Sequence, residues 1–450
     1  MNKREFLKST GALLATGLMG DHAFAQSNAV VAESRTNWAG NYTFHAKELL
    51  QPKTVADVQQ MVQSHAKLRA LGSRHSFNGI ADSDAAQISL KALDSMSVDK
   101  AASTVTVGAG VTYGQLSPWL DAQGYALHNL ASLPHISVIG ACATGTHGSG
   151  PRNGNLSTAV VGLEMVKADG SLATLSRAKD GARFDGAVVD LGALGIVTKV
   201  TLRVQPTFQM RQVVYENMSM DALEHNLDAI FASGYSTSLF TTWQGDRIAQ
   251  VWIKSRVASG DAPPAATFHG ATLQQEKLHP IKGINPINCT EQQGIAGPWY
   301  ERMPHFKMNF TPSSGQEIQS EYFVPRAHGY KAIRAVEELR DQITPHLLIT
   351  ELRTIAADDL WLSEAHGRDS MAIHFTWKPE ADAVNAVLPL IEAKLAQFDP
   401  RPHWAKVFTM APAKVQAQYP QLPTFRALLH EYDPQGKFRN AFVDRYVFSA

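Results

Sequence analysis

An apolar run that stops abruptly in small and polar residues fixes a backbone turn, and Ala70-Leu-Gly-Ser-Arg-His-Ser-Phe77 is such a stretch. Upstream, residues 54–65 carry Val55, Val58, Met61 and Val62 on one helical face, with Thr54 placed to cap it. Residues 68–71 then read as a short buried strand. A strand that gives way to Gly72, Ser73, Arg74, His75 and Ser76 turns several backbone N–H groups towards one point, which suits a phosphate or pyrophosphate. Gly145-Thr-His-Gly-Ser-Gly150 repeats the texture. Neither stretch has the GxGxxG spacing of a dinucleotide-binding turn or the GxxxxGK(S/T) of a phosphate loop. By itself the first reads equally as a surface loop with an exposed histidine.

A chain of 450 residues is long enough for two or three domains. Basic and acidic residues balance at 41 each, and no basic run stands out, which argues against a nucleic-acid or anionic-membrane partner. Two cysteines, Cys142 and Cys289, make neither a disulfide framework nor a zinc pattern. His135, Cys142 and His147 lack the spacing of a structural zinc site, so no metal is expected. Both thiols read as free and packed, with a long-range disulfide left open if the chain is exported. Export is what the N-terminus suggests. Lys3, Arg4 and Lys8 precede an apolar run at 11–20 that is too short to span a bilayer, and Ala23-Phe-Ala25 supplies a cleavage site. Asn2-Lys-Arg-Glu-Phe-Leu-Lys8 is close to a twin-arginine signal, with Lys3 where the first arginine would stand.

Helix and strand patterns alternate as far as Val204, which implies mixed α/β layers. Strands are expected at 88–90 and 104–107, and a helix at 113–123 that Gly124 ends. Val189-Asp-Leu-Gly-Ala-Leu-Gly195 reads as a glycine-hinged turn feeding a strand at 196–202. Beyond Pro206, residues 238–243 and 248–253 alternate apolar and polar around a helix at 220–233. Residues 258–300, rich in Pro, Gly, Asn and Gln, read as a long surface loop over the site. Strands at 321–324, 347–353, 371–377 and 406–408, with helices at 328–341 and 381–397, suggest an antiparallel sheet flanked by helices. The last thirty residues read as a return to the first domain.

The segments GSRHSF, SLPHISVIG and ATGTHGSG, taken together, resemble the flavin domain of the vanillyl-alcohol-oxidase-type FAD-dependent oxidoreductases. The closer match is to the alditol (xylitol, sorbitol) oxidases and runs from about Asn37 to the C-terminus. The resemblance implies an α+β, two-domain flavoprotein. Residues 1–33 would be signal and linker, 34–209 the FAD-binding domain, 210–419 a substrate or cap domain with an antiparallel sheet and flanking helices, and 420–450 a return to the first. It implies FAD bonded through His75 to the 8α-methyl. Gly72, Ser73, Arg74, Ser76, Ser132, Ser137, Gly140, Gly145, Thr146, Val197 and Lys406 would also contact FAD. Arg74 stands where many relatives have glycine.

Polyols bind through many hydroxyls, so their site needs a fan of polar side chains. Strand alternation puts Glu351 with Arg353 on one face and His374 with Thr376 on one face, inverting the apolar-inward rule. Either pair alone also fits an ion pair or a core histidine. His403-Trp-Ala-Lys406 matches an HWxK motif of alditol oxidases and aldonolactone oxidoreductases; as bare sequence, Lys406 is equally a surface lysine beside a buried tryptophan. The resemblance implies that Ser132, Glu351, Arg353, Thr376 and Lys406 bind substrate. Arg353, His374 and Lys406 would be catalytic, with His374 as base and Lys406 holding charge on the flavin. It further implies an enzyme that oxidises a terminal hydroxyl of a polyol, with O2 as acceptor and H2O2 as product; a monomer is expected, though nothing in the sequence fixes the oligomeric state. The alternatives are an aldonolactone oxidase or dehydrogenase, and an exported sugar-binding protein without catalysis.

Overall fold

Strands of one sheet that run the same way need a crossover between them. In the computed structural model, which describes residues 35–310 and 315–449, the helix Val55–Ser64 makes that crossover from Glu48–Leu50 to Leu68–Leu71. The Thr54 side chain accepts from the Asp57 N–H while the Asp57 carboxylate accepts from the Thr54 N–H, satisfying two donors that a helix start leaves open. Val58 and Val62 are buried beneath it. Ala86–Ser89 lies between the two strands, parallel to both. The signal read at residues 2–25 lies outside the described residues.

A five-stranded antiparallel sheet runs in the order Met96–Asp99, Thr104–Gly108, Ile196–Arg203, Val160–Val166, Leu172–Ser176. The glycine-hinged turn does feed Ile196–Arg203. Leu191 and Gly192 take left-handed φ of 57° and 67°, and the Asp190 carboxylate accepts from the Gly192 and Leu194 N–H groups. Arg69, wholly buried, donates to the carbonyls of Gly192, Leu191, Phe438 and Ile80. One guanidinium thus ties the strand before His75 to this turn and to the C-terminal segment. The Leu68 N–H donates to the Lys437 carbonyl, and Asn440 Nδ2 donates to the carbonyls of Gly79, Ile80 and Asp82.

The largest sheet has ten strands among the described residues. Its middle runs Arg247–Arg256, Ser236–Thr241, Leu347–Ile355, Ser370–Trp377, Ile318–Pro325, all antiparallel, and then the short Arg401–Pro402. Alternation sorts its faces. Tyr322, Val324, Leu352, Ile373 and Phe375 join a core with buried residues of the helices Met220–Phe231, Gly329–Glu337 and Ala381–Leu395. Glu321, Glu351, Arg353, His374 and Thr376 alternate with them and take the other face. Among the described residues no helix is long and apolar enough to cross a membrane.

Three expected elements differ. The helix at 328–341 is two, Gly329–Glu337 and Arg340–Ile343, with Glu338 and Leu339 between them. Residues 258–300 are not a free loop. Ala271–Leu273 and Gly297–Pro298 pair with Gln209–Ser219, and Cys289 and Trp299 are buried. Residues 406–408 form no strand. The Lys406 N–H donates to the His403 carbonyl and the Ala405 N–H to His403 Nδ1, so these donors close a turn instead of a ladder.

Candidate active site

The first glycine-bearing stretch packs against the start of the helix Val138–Ala143. A Cβ on Gly72 would meet Ser137 Oγ at 2.8 Å, and one on Gly140 would meet the same oxygen at 2.6 Å. The Ser137 N–H donates to Ser73 Oγ at 3.1 Å. A Cβ on Gly145 would fall 2.1 Å from Glu364 Oε2. Glu364 is buried, which pushes its carboxyl well above the usual range. Arg74 holds a left-handed φ of 64°, where glycine is at ease and a residue with a Cβ is strained. Its carbonyl accepts from the Trp38 N–H at 2.8 Å.

His75 is not a surface residue. Its ring lies against Trp38, with centroids 4.6 Å apart, and against His135 at 4.3 Å. His75 Nε2 and both ring nitrogens of His135 are buried without a partner. Burial, with His135 and Arg74 nearby, holds the His75 imidazole well below its usual range, hence neutral and with a lone pair to give. Of the other residues expected here, Ser76 offers its carbonyl to Asn37 Nδ2, Thr146 Oγ1 lies 3.4 Å from Thr144 Oγ1, and Val197 is buried in its strand.

The loop after His75 is pinned to the turn that carries Lys406. The Phe77 N–H donates to the Ala405 carbonyl at 2.7 Å, and Asn78 Nδ2 donates to the carbonyls of Trp404 and Lys406 at 2.9 and 2.8 Å. From that turn Lys406 reaches the polar face of the large sheet. There, Glu321, His374 and Glu351 stand directly opposite one another on three adjacent strands. Lys406 Nζ donates to Glu321 Oε2 at 2.7 Å and lies 2.6 Å from His374 Nδ1. Arg353 donates to Glu321 Oε1 at 2.9 Å, and His374 Nε2 lies 3.0 Å from Thr376 Oγ1. The Arg353 Nε and Glu351 Oε1 are 3.6 Å apart. All five sequence-expected polar residues of the sheet and turn therefore meet. Ser132 approaches through its backbone, its carbonyl accepting from the Phe306 N–H at 3.4 Å.

The hub was not among the expected residues. Glu321, wholly buried, takes Arg353 and His147 on one oxygen and Lys406 on the other. Burial works to raise its carboxyl, yet Lys406, His147 and Arg353 hold it well below the usual range. His147 comes from the second glycine-bearing stretch, whose Gly150 N–H donates to the Thr354 carbonyl at 2.8 Å. Burial and Lys406 lower His374 to about 4, so it is neutral. An ammonium at Nδ1 leaves its proton on Nε2, facing Thr376. Burial also lowers Lys406, with the Glu321 carboxylate acting against it. Lys254 and His305 were missed as well; they meet Glu351 from the side, with His305 Nε2 2.8 Å from Glu351 Oε1.

Residues 46–176 match the family model of an FAD-binding domain, and residues 305–446 match that of D-arabinono-1,4-lactone oxidase. Alditol oxidase from a Streptomyces species is 47% identical over 412 residues, covering 91% of this chain and 97% of the relative. L-gulono-1,4-lactone dehydrogenase from Mycobacterium tuberculosis is 27% identical, covering 92% and 98%. Among solved structures, cholesterol oxidase from B. sterolicum superposes with a TM-score of 0.73 at 16% identity, covering 92% of this chain and 96% of that one. Glucooligosaccharide oxidase from Acremonium strictum, described with a 6-S-cysteinyl, 8α-N1-histidyl FAD, gives 0.70 at 14% identity, covering 91% and 93%. These two likenesses show a shared fold. Cys142 of this chain faces the Tyr113 hydroxyl, and burial pushes its thiol up to about 12.

Proposed function

The chain belongs to the alditol oxidase family of FAD-dependent oxidoreductases, and on that premise we propose that it oxidises a terminal hydroxyl of a sugar alcohol to the aldose, with O2 as acceptor and H2O2 as product. The residues present fit FAD: glycines where a Cβ would collide, and a neutral His75 with a buried, unpartnered nitrogen suited to the covalent link. When bound, FAD supplies the acceptor for the hydride and, on reoxidation, the route to O2. The observation that carries the reading is the pinning of the His75 loop to the Lys406 turn, which joins the cofactor cradle to a buried fan of polar groups.

Each side chain has a distinct task. Glu351 accepts from a substrate hydroxyl and Arg353 donates to one, while Thr376 offers a hydroxyl of either sense. Lys406 places a positive charge where negative charge develops, and Ser132 lines the approach. His374 is the base for the reacting hydroxyl. Because Lys406 donates to its Nδ1, His374 takes a proton there only as Lys406 turns to another acceptor. Proton removal and charge stabilisation are therefore coupled through one contact.

The experiment is anaerobic mixing of purified protein with xylitol, sorbitol or L-gulono-1,4-lactone, following the flavin absorbance. Bleaching by the polyols and not by the lactone supports the reading; the reverse outcome moves the assignment to a lactone oxidoreductase. Acid-precipitated protein that stays yellow, and loses that colour in His75→Ala, supports the covalent link. We also propose export by the twin-arginine route, supported by the basic, apolar and A-x-A order of residues 2–25. Protein from the periplasm or medium should begin near Gln26, and intact Met1 protein found only in the cytosol would count against it.

A further inference from the structure

Among the buried titratable side chains to which the roles above give no task are Lys254 and His305. Lys254, 1% exposed, stands on Arg247–Arg256 between the uncharged cross-strand neighbours Gln212 and Ser236. Its Nζ donates to the Met303 carbonyl at 2.5 Å and lies 3.0 Å from His305 Nδ1. His305 Nε2 in turn lies 2.8 Å from Glu351 Oε1. Phe240 and Trp252 pack edge-on against the His305 ring, with centroids 5.5 and 5.3 Å away, and hold it in place. Arg353 Nε approaches the same Oε1 of Glu351. Among the described residues, all of these partners gather on Oε1, which leaves Oε2 of Glu351 for a ligand.

Donor arithmetic makes this chain directional. An ammonium only donates, so Lys254 fixes His305 Nδ1 as acceptor and puts the ring proton on Nε2, where it donates to Glu351. Without its proton, Lys254 keeps two N–H donors but gains a lone pair, so Nδ1 is no longer held as the acceptor and a tautomer opens in which His305 Nδ1–H donates to Lys254. Nε2 then has no proton for Glu351, and the carboxylate loses its fixed orientation.

We propose that Lys254 and His305 are positioning residues that hold Glu351 as an oriented, charged acceptor for a substrate hydroxyl, and that the proton on Lys254 switches this hold on. The proposal rests on the reading of Glu351 as a polyol-binding carboxylate. The charged and titratable groups facing Lys254 are His305, Glu351, Arg353 and Cys289. Burial lowers Lys254 to about 7, with Glu351 opposing and Arg353 assisting. Burial and Lys254 lower His305 to about 4, Cys289 is pushed up to about 11, and Glu351 lies well below its usual range. Lys254 is therefore the member of the group that changes charge near neutrality.

The test is steady-state oxidation of xylitol by the FAD-loaded enzyme from about pH 6 to about pH 9. KM should rise roughly tenfold as pH passes through the Lys254 range, the effect of losing one hydrogen bond to a charged group, while kcat changes far less. Lys254→Met should show the high KM at every pH. His305→Gln, whose amide donates to Glu351 whatever the state of Lys254, should show a KM that no longer depends on pH. Flavin content and thermal unfolding of each variant identify any that fails to fold, and the wild-type profile then decides alone. A wild-type KM that is flat across this range overturns the proposal, as does a His305→Gln profile that parallels the wild type. Absence of polyol turnover in the wild type overturns the underlying site reading instead.

Discussion

Lys406 holds one charge between two acceptors, Glu321 Oε2 and His374 Nδ1, inside a region from which water is largely excluded. A charge so placed acts strongly on negative charge that develops nearby. Lys406→Met should therefore slow reduction of the flavin by polyol ~10²–10³-fold, with a much smaller change in substrate binding, as stopped-flow traces at several polyol concentrations would show. Near-wild-type reduction would sink its role. Arg74 tests the cofactor loop in another way. Its left-handed backbone disfavours any residue with a Cβ by ~1–2 kcal/mol, while glycine gives back somewhat less than ~1 kcal/mol through a freer unfolded chain. Arg74→Gly should leave the urea midpoint level or slightly raised, and the β-branched Arg74→Val should lower it. The sequence signalled Arg74 and Lys406 through motifs. It could not signal Glu321, because a lone acidic residue among Tyr322 and Phe323 shows no polar partner until three strands fall into register. That register is set by contacts far apart in the chain.

The turn from His403 to Lys406 and the loop after His75 behave as one element. Asn78 makes three side-chain hydrogen bonds there: two join the elements, donated to the Trp404 and Lys406 carbonyls, and one is accepted from the Ile80 N–H within its own loop. At ~1 kcal/mol for each, Asn78→Ala should cost about 3 kcal/mol in urea unfolding. It should also slow flavin reduction, since the turn that aims Lys406 loses its tether; a stability loss with unchanged reduction would limit Asn78 to a structural part. Elements with local signals were legible in advance. Thr54 and the apolar face of Val55, Val58, Met61 and Val62 announced the first helix, and the i, i+2 pairs announced the polar face. The segment at 406–408 was not legible, because Val407 and Phe408 favour a strand locally, yet His403 turns the Ala405 and Lys406 N–H groups back on itself and only the Val407 N–H reaches a strand, at the Gln319 carbonyl. The same reasoning explains 258–300. Its turn-rich composition hides short strands that exist only because Gln209–Ser219 offers them a partner.

At the scale of the whole molecule, buried titratable groups set the response to acid, and they pull in opposite directions. His135, His305 and His374 are lowered to about 4, and His147 and His403 are lowered too, with burial the first cause in every case. An unfolded chain protonates such imidazoles near 6.5. Between the two values the unfolded state holds protons that the folded state refuses, so stability falls as pH drops through this window. Asp190 and Asp358 oppose this, because burial raises both to about 6, and Glu364 is raised well above the usual carboxylate range. There the folded state holds the proton and the unfolded state releases it, so acid favours folding. His75, His128, His279 and His366 are lowered as well, and Glu216, Glu317 and Glu337 are raised, so among the described residues the lowered imidazoles outnumber the raised carboxyls and unfolding near pH 5 takes up protons on balance. The unfolding temperature should therefore decline steadily from pH 7 to pH 5. Calorimetry in buffers of different ionisation enthalpy would count the protons directly. Asp190→Asn, which keeps the folded pattern uncharged at every pH, should make the decline steeper by removing one opposing group. An unfolding temperature that rises on acidification, or proton release in place of uptake, would show that the buried carboxyls outweigh the histidines.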